Sequence, residues 1–173
     1  MDAVKAVLTR RSIRKYSQKE DISKEDIELF LKAGMNAPSA GDQKPWHFIV
    51  LDDKNLMERI ADFHNHASML KYADKAILVC SKVDDLEKKI FRRHWPSDCA
   101  AATENILIVA NAKNIGACWI GIYPDEYNIK NMGELLNLDK GVIPYSLISL
   151  GVPLERKKPR DFFDKKRIHY NRW

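Results

Sequence analysis

The sequence predicts a three-layer α/β or α+β domain around a mixed sheet, on three observations. Runs of strand length, rich in apolar and β-branched residues, occupy positions 46–51, 76–80, 117–122 and 145–152, the first two reading as buried strands. Segments with apolar residues at helical spacing separate them. Between the second and third runs, residues 98–113 are apolar or small almost all round, from Ala100, Ala101 and Ala102 through Ile106, Leu107, Ile108, Val109 and Ala110. A helix without a polar face belongs at the centre of a fold or in a subunit interface.

The remaining elements follow in order. Residues 2–8 read as a short helix with Asp2 as cap and Ala3, Val4, Val7 and Leu8 on one face. Ser23-Lys24-Glu25-Asp26 resembles a capping box, with Asp where Glu or Gln is usual, and Ile27, Phe30, Leu31 and Gly34 continue the helix. That helix stops by Pro38, because the residue before a proline is pushed out of the α region. Helices are also predicted at 55–63 and 127–136, and Ser97 is the expected cap of the central one. Asp84, Asp85, Lys88 and Lys89 read as one exposed, ion-paired helical face. Beyond Pro153 the chain turns charged and aromatic, and Phe162, Phe163, Tyr170 and Trp173 imply that this tail packs on something, such as another subunit.

A chain of 173 residues with 45% hydrophobic content is read as one domain, 1–173, with a real core. No apolar run reaches the length of a membrane span, and Met1-Asp2-Ala3-Val4-Lys5 lacks the apolar stretch of a signal peptide, so the expectation is a cytoplasmic protein with no membrane partner. Cys80, Cys99 and Cys118 are odd in number and far apart, which reads as free thiols in a reducing compartment. The net charge of +5 would permit nucleic-acid binding, but no helix-turn-helix, zinc-finger or RNP-type pattern accompanies it. A basic nucleic-acid-binding domain is therefore only a distant alternative. Much of the positive charge sits in two terminal segments, 10–15 and 156–172, which are able to converge on one small anion.

Four segments carry candidate chemistry. Arg10-Arg11-Ser12-Ile13-Arg14 offers guanidinium forks and a hydroxyl, which match phosphate oxygens. The loop Ala37-Pro38-Ser39-Ala40-Gly41-Asp42-Gln43-Lys44-Pro45 places small residues between two prolines, letting a flat ligand approach the backbone. Gly116-Ala117-Cys118-Trp119-Ile120-Gly121 is a strand with glycine at its far end, a sign of close backbone approach. The tail ends in Arg167-Ile168-His169-Tyr170-Asn171-Arg172-Trp173. No Walker-type or GxGxxG loop is present. His64 and His66 lack a third metal ligand and read as solvated loop histidines, so no metal site is expected.

In this order the four segments, with Asp98-Cys99-Ala100-Ala101-Ala102-Thr103-Glu104-Asn105 between them, resemble the short members of the FMN-dependent nitroreductase family. The resemblance runs from the arginine cluster to Trp173. It implies an α+β fold of three α/β/α layers, with a mixed central sheet and a C-terminal tail exchanged with the partner subunit of a homodimer. It implies FMN as cofactor, NADH or NADPH as donor, and ping-pong reduction of nitroaromatic or quinone-type acceptors. By the same resemblance Arg10, Arg11 and Ser12 lie at the FMN phosphate, and Lys165 and Arg167 complete that site. Arg14 brings a cation to the flavin's N1 edge. Pro38, Ser39, Ala40 and Asp42 contact the ring from the other subunit, and the backbone of Cys118, Ile120 and Gly121 lies against it.

No side chain is assigned a catalytic role, since the flavin carries the redox chemistry. The loop departs from the family pattern at Asp42 and Lys44, where Asn and Gln are usual, and an ionised Asp42 side chain has no hydrogen to donate. Lys44 is expected to face solvent. A flavoprotein of the same fold with other chemistry (reductive dehalogenation, flavin fragmentation, or binding without turnover) is the nearer alternative.

Overall fold

A computed structural model describes residues 1–173. Its sheet has four strands: β1 (Trp46–Leu51), β2 (Lys75–Lys82), β3 (Gly116–Gly121) and β4 (Val142–Gly151), in the order β1-β2-β4-β3. All three ladders are antiparallel, which corrects the expected mixed sheet. Parallel pairing is confined to one bridge, Ser12 to Ala117, where the N-terminal segment runs along the edge of β3. The cause is connectivity. The helix joining β1 to β2 returns the chain to the sheet end it left, which makes the neighbouring strands run in opposite directions.

Five helices cover the two faces: α1 (Ala3–Thr9), α2 (Lys24–Met35), α3 (Lys54–Phe63), α4 (Trp95–Ala112) and α5 (Glu126–Leu135). Alternation along the strands divides the core. Ala76, Leu78 and Cys80 of β2 and Cys118 and Ile120 of β3 face Met57 and Ile60 of α3 and Met132 of α5. Ile77 and Val79 face Phe30 of α2 and Cys99, Ala102 and Ile106 of α4. The α+β, three-layer reading therefore holds.

Capping residues set several helix starts. Asp2 accepts from Lys5 N, Ser23 from Asp26 N, Asp53 from Asn55 N and Leu56 N, and Asp125 from Asn128 N. The central helix begins at Trp95 instead of after Ser97, because Pro96 in its first turn needs no hydrogen-bond acceptor. It lies against α1, α2 and all four strands, which accounts for its missing polar face. The Asp84/Lys88 helical face does not form. A short 3-10 turn spans Val83–Asp85, with Asp84 paired to Arg92 and Asp85 to Lys82. On α1 only Ala6 is buried, against α4, while Val4, Val7 and Leu8 stay exposed.

Candidate active site

Two adjoining cavities meet at Arg14. The first, about 760 Å³, is lined by Arg10, Arg11, Ser12, Arg14, Lys157, Arg160 and Asp161, with Val7, Leu8, Phe162 and Phe163 on its apolar side. The second, about 500 Å³, is lined by Arg14, residues His64, Asn65, His66, Ser68 and Met69, and Cys118 to Gly121 of β3.

Backbone pairing brings these walls together. Ile13 N–H donates to Ala117 O at 3.0 Å, and Ser17 N–H to Val152 O at 2.8 Å, so the basic segment is laced to the outer edge of β3 and the exit of β4. The returning chain closes the cavity from the other side. Lys157 Nζ donates to Ser12 O at 2.7 Å, Arg11 Nη1 to Lys158 O at 2.7 Å, and Arg14 N–H to Glu155 Oε1 at 2.7 Å. That last bond holds the Glu155 carboxyl below its ordinary range. Beneath the site Tyr16 is buried, its hydroxyl bonded to Ile13 O and to Ser149 Oγ, and burial pushes its pKa up.

The cations differ in freedom. Arg10 Nε is paired with Glu104 Oε1 at 2.9 Å, and Lys157 reaches Glu155 at 3.2 Å. The Arg14 guanidinium has no ion-pair partner in the chain and lines both cavities. At the far end of β3, a Cβ added to Gly121 would meet no atom within 4 Å, so the strand end faces open space. Burial raises the Cys118 thiol pKa, with Arg14 acting in the opposite direction.

Arg10, Arg11, Ser12, Arg14, Cys118, Ile120 and Gly121 thus stand together in one chain. Lys165 and Arg167 do not line either cavity. They lie in a short turn of the exposed tail, with Arg167 Nε 3.4 Å from Asp164. Pro38, Ser39, Ala40 and Asp42 are also elsewhere. Their loop leads into β1, which lies at the opposite edge of the sheet from β3, three strand spacings or about 14 Å between the two strands. The loop is firmly shaped: Ala40 N–H donates to the buried Asp98 at 3.0 Å, and Lys44 N–H to Ser39 Oγ at 2.9 Å. Gly41, Asp42 and Lys44 have φ of 59°, 57° and 49°, and the exposed Lys44 ammonium pairs with Asp42 at 2.9 Å. Burial raises the Asp98 pKa, an effect opposed by the Ala40 N–H.

Sequence reasoning did not single out Lys157, Arg160 or Asp98, and it read both His64 and His66 as solvated, which is true of His66 alone. Lys157 and Arg160 sit in a charge-rich stretch without a pattern. His64 is not solvated but buried, its Nε2 2.8 Å from Gly121 O, a partner 57 positions away that no local signal announces.

The Nitroreductase family model matches residues 7–85 and 63–152. A protein from Archaeoglobus fulgidus, provisionally named NADH dehydrogenase/NAD(P)H nitroreductase, is 42% identical over 175 residues, covering 99% of each chain. The chain belongs to the nitroreductase family. Among solved structures, a Clostridium acetobutylicum protein provisionally described as an NADH oxidase aligns at TM-score 0.90 and 40% identity, covering 97% of this chain and 99% of that one. An FMN-dependent nitroreductase from Clostridium difficile aligns at TM-score 0.88 and 28% identity, covering 98% and 99%. For this nitroreductase-family chain, the matched region contains both the arginine segment and the β3 edge.

Proposed function

We propose that the chain is an FMN-dependent oxidoreductase taking electrons from NADH or NADPH and passing them to electron-poor acceptors of the nitroaromatic or quinone class. The observation that carries this reading is the position of Arg14, unpaired and shared between a cationic cavity and an open slot at the end of β3. A phosphate fits the first, where guanidinium and ammonium donors surround a serine hydroxyl. A flat ring fits the second, where Gly121 leaves the backbone approachable.

When bound, FMN supplies two-electron chemistry, accepting hydride from the nicotinamide and returning it to the acceptor in a ping-pong cycle. The chain's own residues bind and orient. Arg10, Arg11, Ser12 and Lys157 hold the phosphate. Arg14 stabilises negative charge that reduction places on the ring. The backbone of Cys118, Ile120 and Gly121 forms one wall.

The site is proposed to be completed by a second copy. The Pro38, Ser39, Ala40 and Asp42 loop lines neither cavity of its own chain, since it leads into β1 at the sheet edge opposite β3. The chain also exposes large apolar groups: Val7, Leu8, Phe162 and Phe163 at the first cavity, with Val4 on α1 and Tyr170 and Trp173 further along the tail. A homodimer that exchanges tails buries these groups and gives Lys165 and Arg167 a route to the phosphate. No helix is long and apolar enough to cross a membrane. We place the protein in the cytoplasm on its three free thiols.

Steady-state kinetics with NADH or NADPH and a series of nitroaromatic and quinone acceptors test the reading. Parallel double-reciprocal lines are expected, and an FMN-loaded protein that oxidises neither donor contradicts it. Sedimentation of the FMN-bound protein as a monomer would overturn the shared site.

A further inference from the structure

The ring-side cavity contains one residue whose every polar group is engaged. His64, 4% exposed, follows the last residue of α3, and its N–H donates to Ile60 O at 3.0 Å. Its carbonyl accepts from Ala67 N–H at 3.0 Å. Its Nδ1 lies 3.1 Å from the His66 backbone nitrogen, and its Nε2 lies 2.8 Å from the Gly121 carbonyl. These partners fix the tautomer. A backbone N–H only donates, so Nδ1 is bare, and a carbonyl only accepts, so Nε2 carries the proton. The same peptide unit is held at its other end, where Ile122 N–H donates to Tyr145 O at 3.1 Å.

We propose that His64 is the positioning residue of this cavity: a single neutral imidazole ties the turn bearing His66 to the terminal peptide of β3, setting the separation of the two walls between which a flat ligand lies. The proposal rests on reading the cavity as the flavin-ring site. His64 lines one wall and anchors the opposite one, so it acts on the ligand through Gly121 and through the 64–67 turn. A doubly protonated ring has no acceptor for the His66 N–H, and a ring protonated only at Nδ1 loses both contacts at once.

The test is His64→Gln, loaded with FMN beside wild type and beside Asn105→Ala, which breaks a hydrogen bond to Ala33 O remote from the cavity. FMN affinity in His64→Gln is expected to fall at least tenfold, with a changed flavin midpoint potential, while Asn105→Ala loses stability and keeps both values. A folded His64→Gln with wild-type affinity and potential overturns the proposal. Ring-nitrogen NMR of the wild-type protein needs no variant. It should show His64 protonated at Nε2 only, with both ring signals moving on FMN addition. An Nδ1-protonated ring, or signals unmoved in a protein that has bound FMN, also overturns it. A wild-type protein that binds no FMN is recognised at the first titration, and that result overturns the flavin reading and this proposal together.

Discussion

Lys157 Nζ donates to the backbone carbonyl of Ser12 at 2.7 Å, joining residues 145 positions apart across the mouth of the cationic cavity. The ammonium both buttresses the arginine segment and adds charge to the pocket. Lys157→Ala should therefore weaken FMN binding about 10- to 100-fold, the equivalent of losing one charged hydrogen bond of ~1.5–3 kcal/mol. Fluorescence titration measures it. The affinity loss should shrink with added salt as the remaining cations are screened.

Arg14 carries the redox prediction. Its guanidinium has no carboxylate partner, so its charge is available to the slot. In Arg14→Leu the flavin midpoint potential should fall by on the order of 30 mV, about 1.4 kcal/mol for a two-electron couple. A dye-equilibration titration reads the shift, and an unchanged potential removes charge stabilisation from the account.

Gly151 closes β4 directly against Tyr16. A Cβ there would sit 2.7 Å from the ring and 2.8 Å from Tyr16 Cβ. The ring has little room to move, because its hydroxyl is bonded to Ser149 Oγ at 2.8 Å. Gly151→Ala should cost ~1–3 kcal/mol by overpacking. Urea unfolding measures it, and a cost near zero shows that Tyr16 yields.

The buried thiols set the alkaline limit. Burial pushes Cys80 up to about 12, and Cys99 and Cys118 are raised as well. Above the ordinary thiol range near 9 the unfolded chain loses these protons while the folded one keeps them. The unfolded state then binds fewer protons, so stability is intact below pH 9 and falls as pH rises toward 12. Chemical denaturation from pH 8 upward should show that decline. In the native protein at pH 8 a thiol reagent should label none of the three at the rate seen after unfolding.

Local signals were legible in the sequence, and distant ones were not. Asp2 and Ser23 cap the helices they are expected to cap, and β1 spans Trp46 to Leu51 as its apolar run predicts, but it is an edge strand buried only at Trp46 and Leu51, because no strand covers its outer side. The caps depend on contacts within four residues, and the strand's span on a short apolar run. The start of α4 was misread because Ser97 is a good cap in isolation, whereas Pro96 makes an earlier start favourable. Strand direction was misread because helices between strands imply parallel crossovers only when the chain returns to the starting end of the sheet.

The site shows the same division. Arg10, Arg11, Ser12 and Arg14 are contiguous and visible, while Lys157 acquires its place only through a long-range bond to Ser12. His64 looks like any loop histidine until Gly121 is brought beside it.

The measurement that bears most directly on the central claim is an absorbance spectrum of the FMN-reconstituted protein during anaerobic addition of NADH and, separately, NADPH. The account predicts a bound flavin spectrum whose visible band bleaches with one equivalent of at least one donor and returns when a quinone is added. A protein that retains no FMN after gel filtration, or a bound flavin that neither donor bleaches, would contradict it.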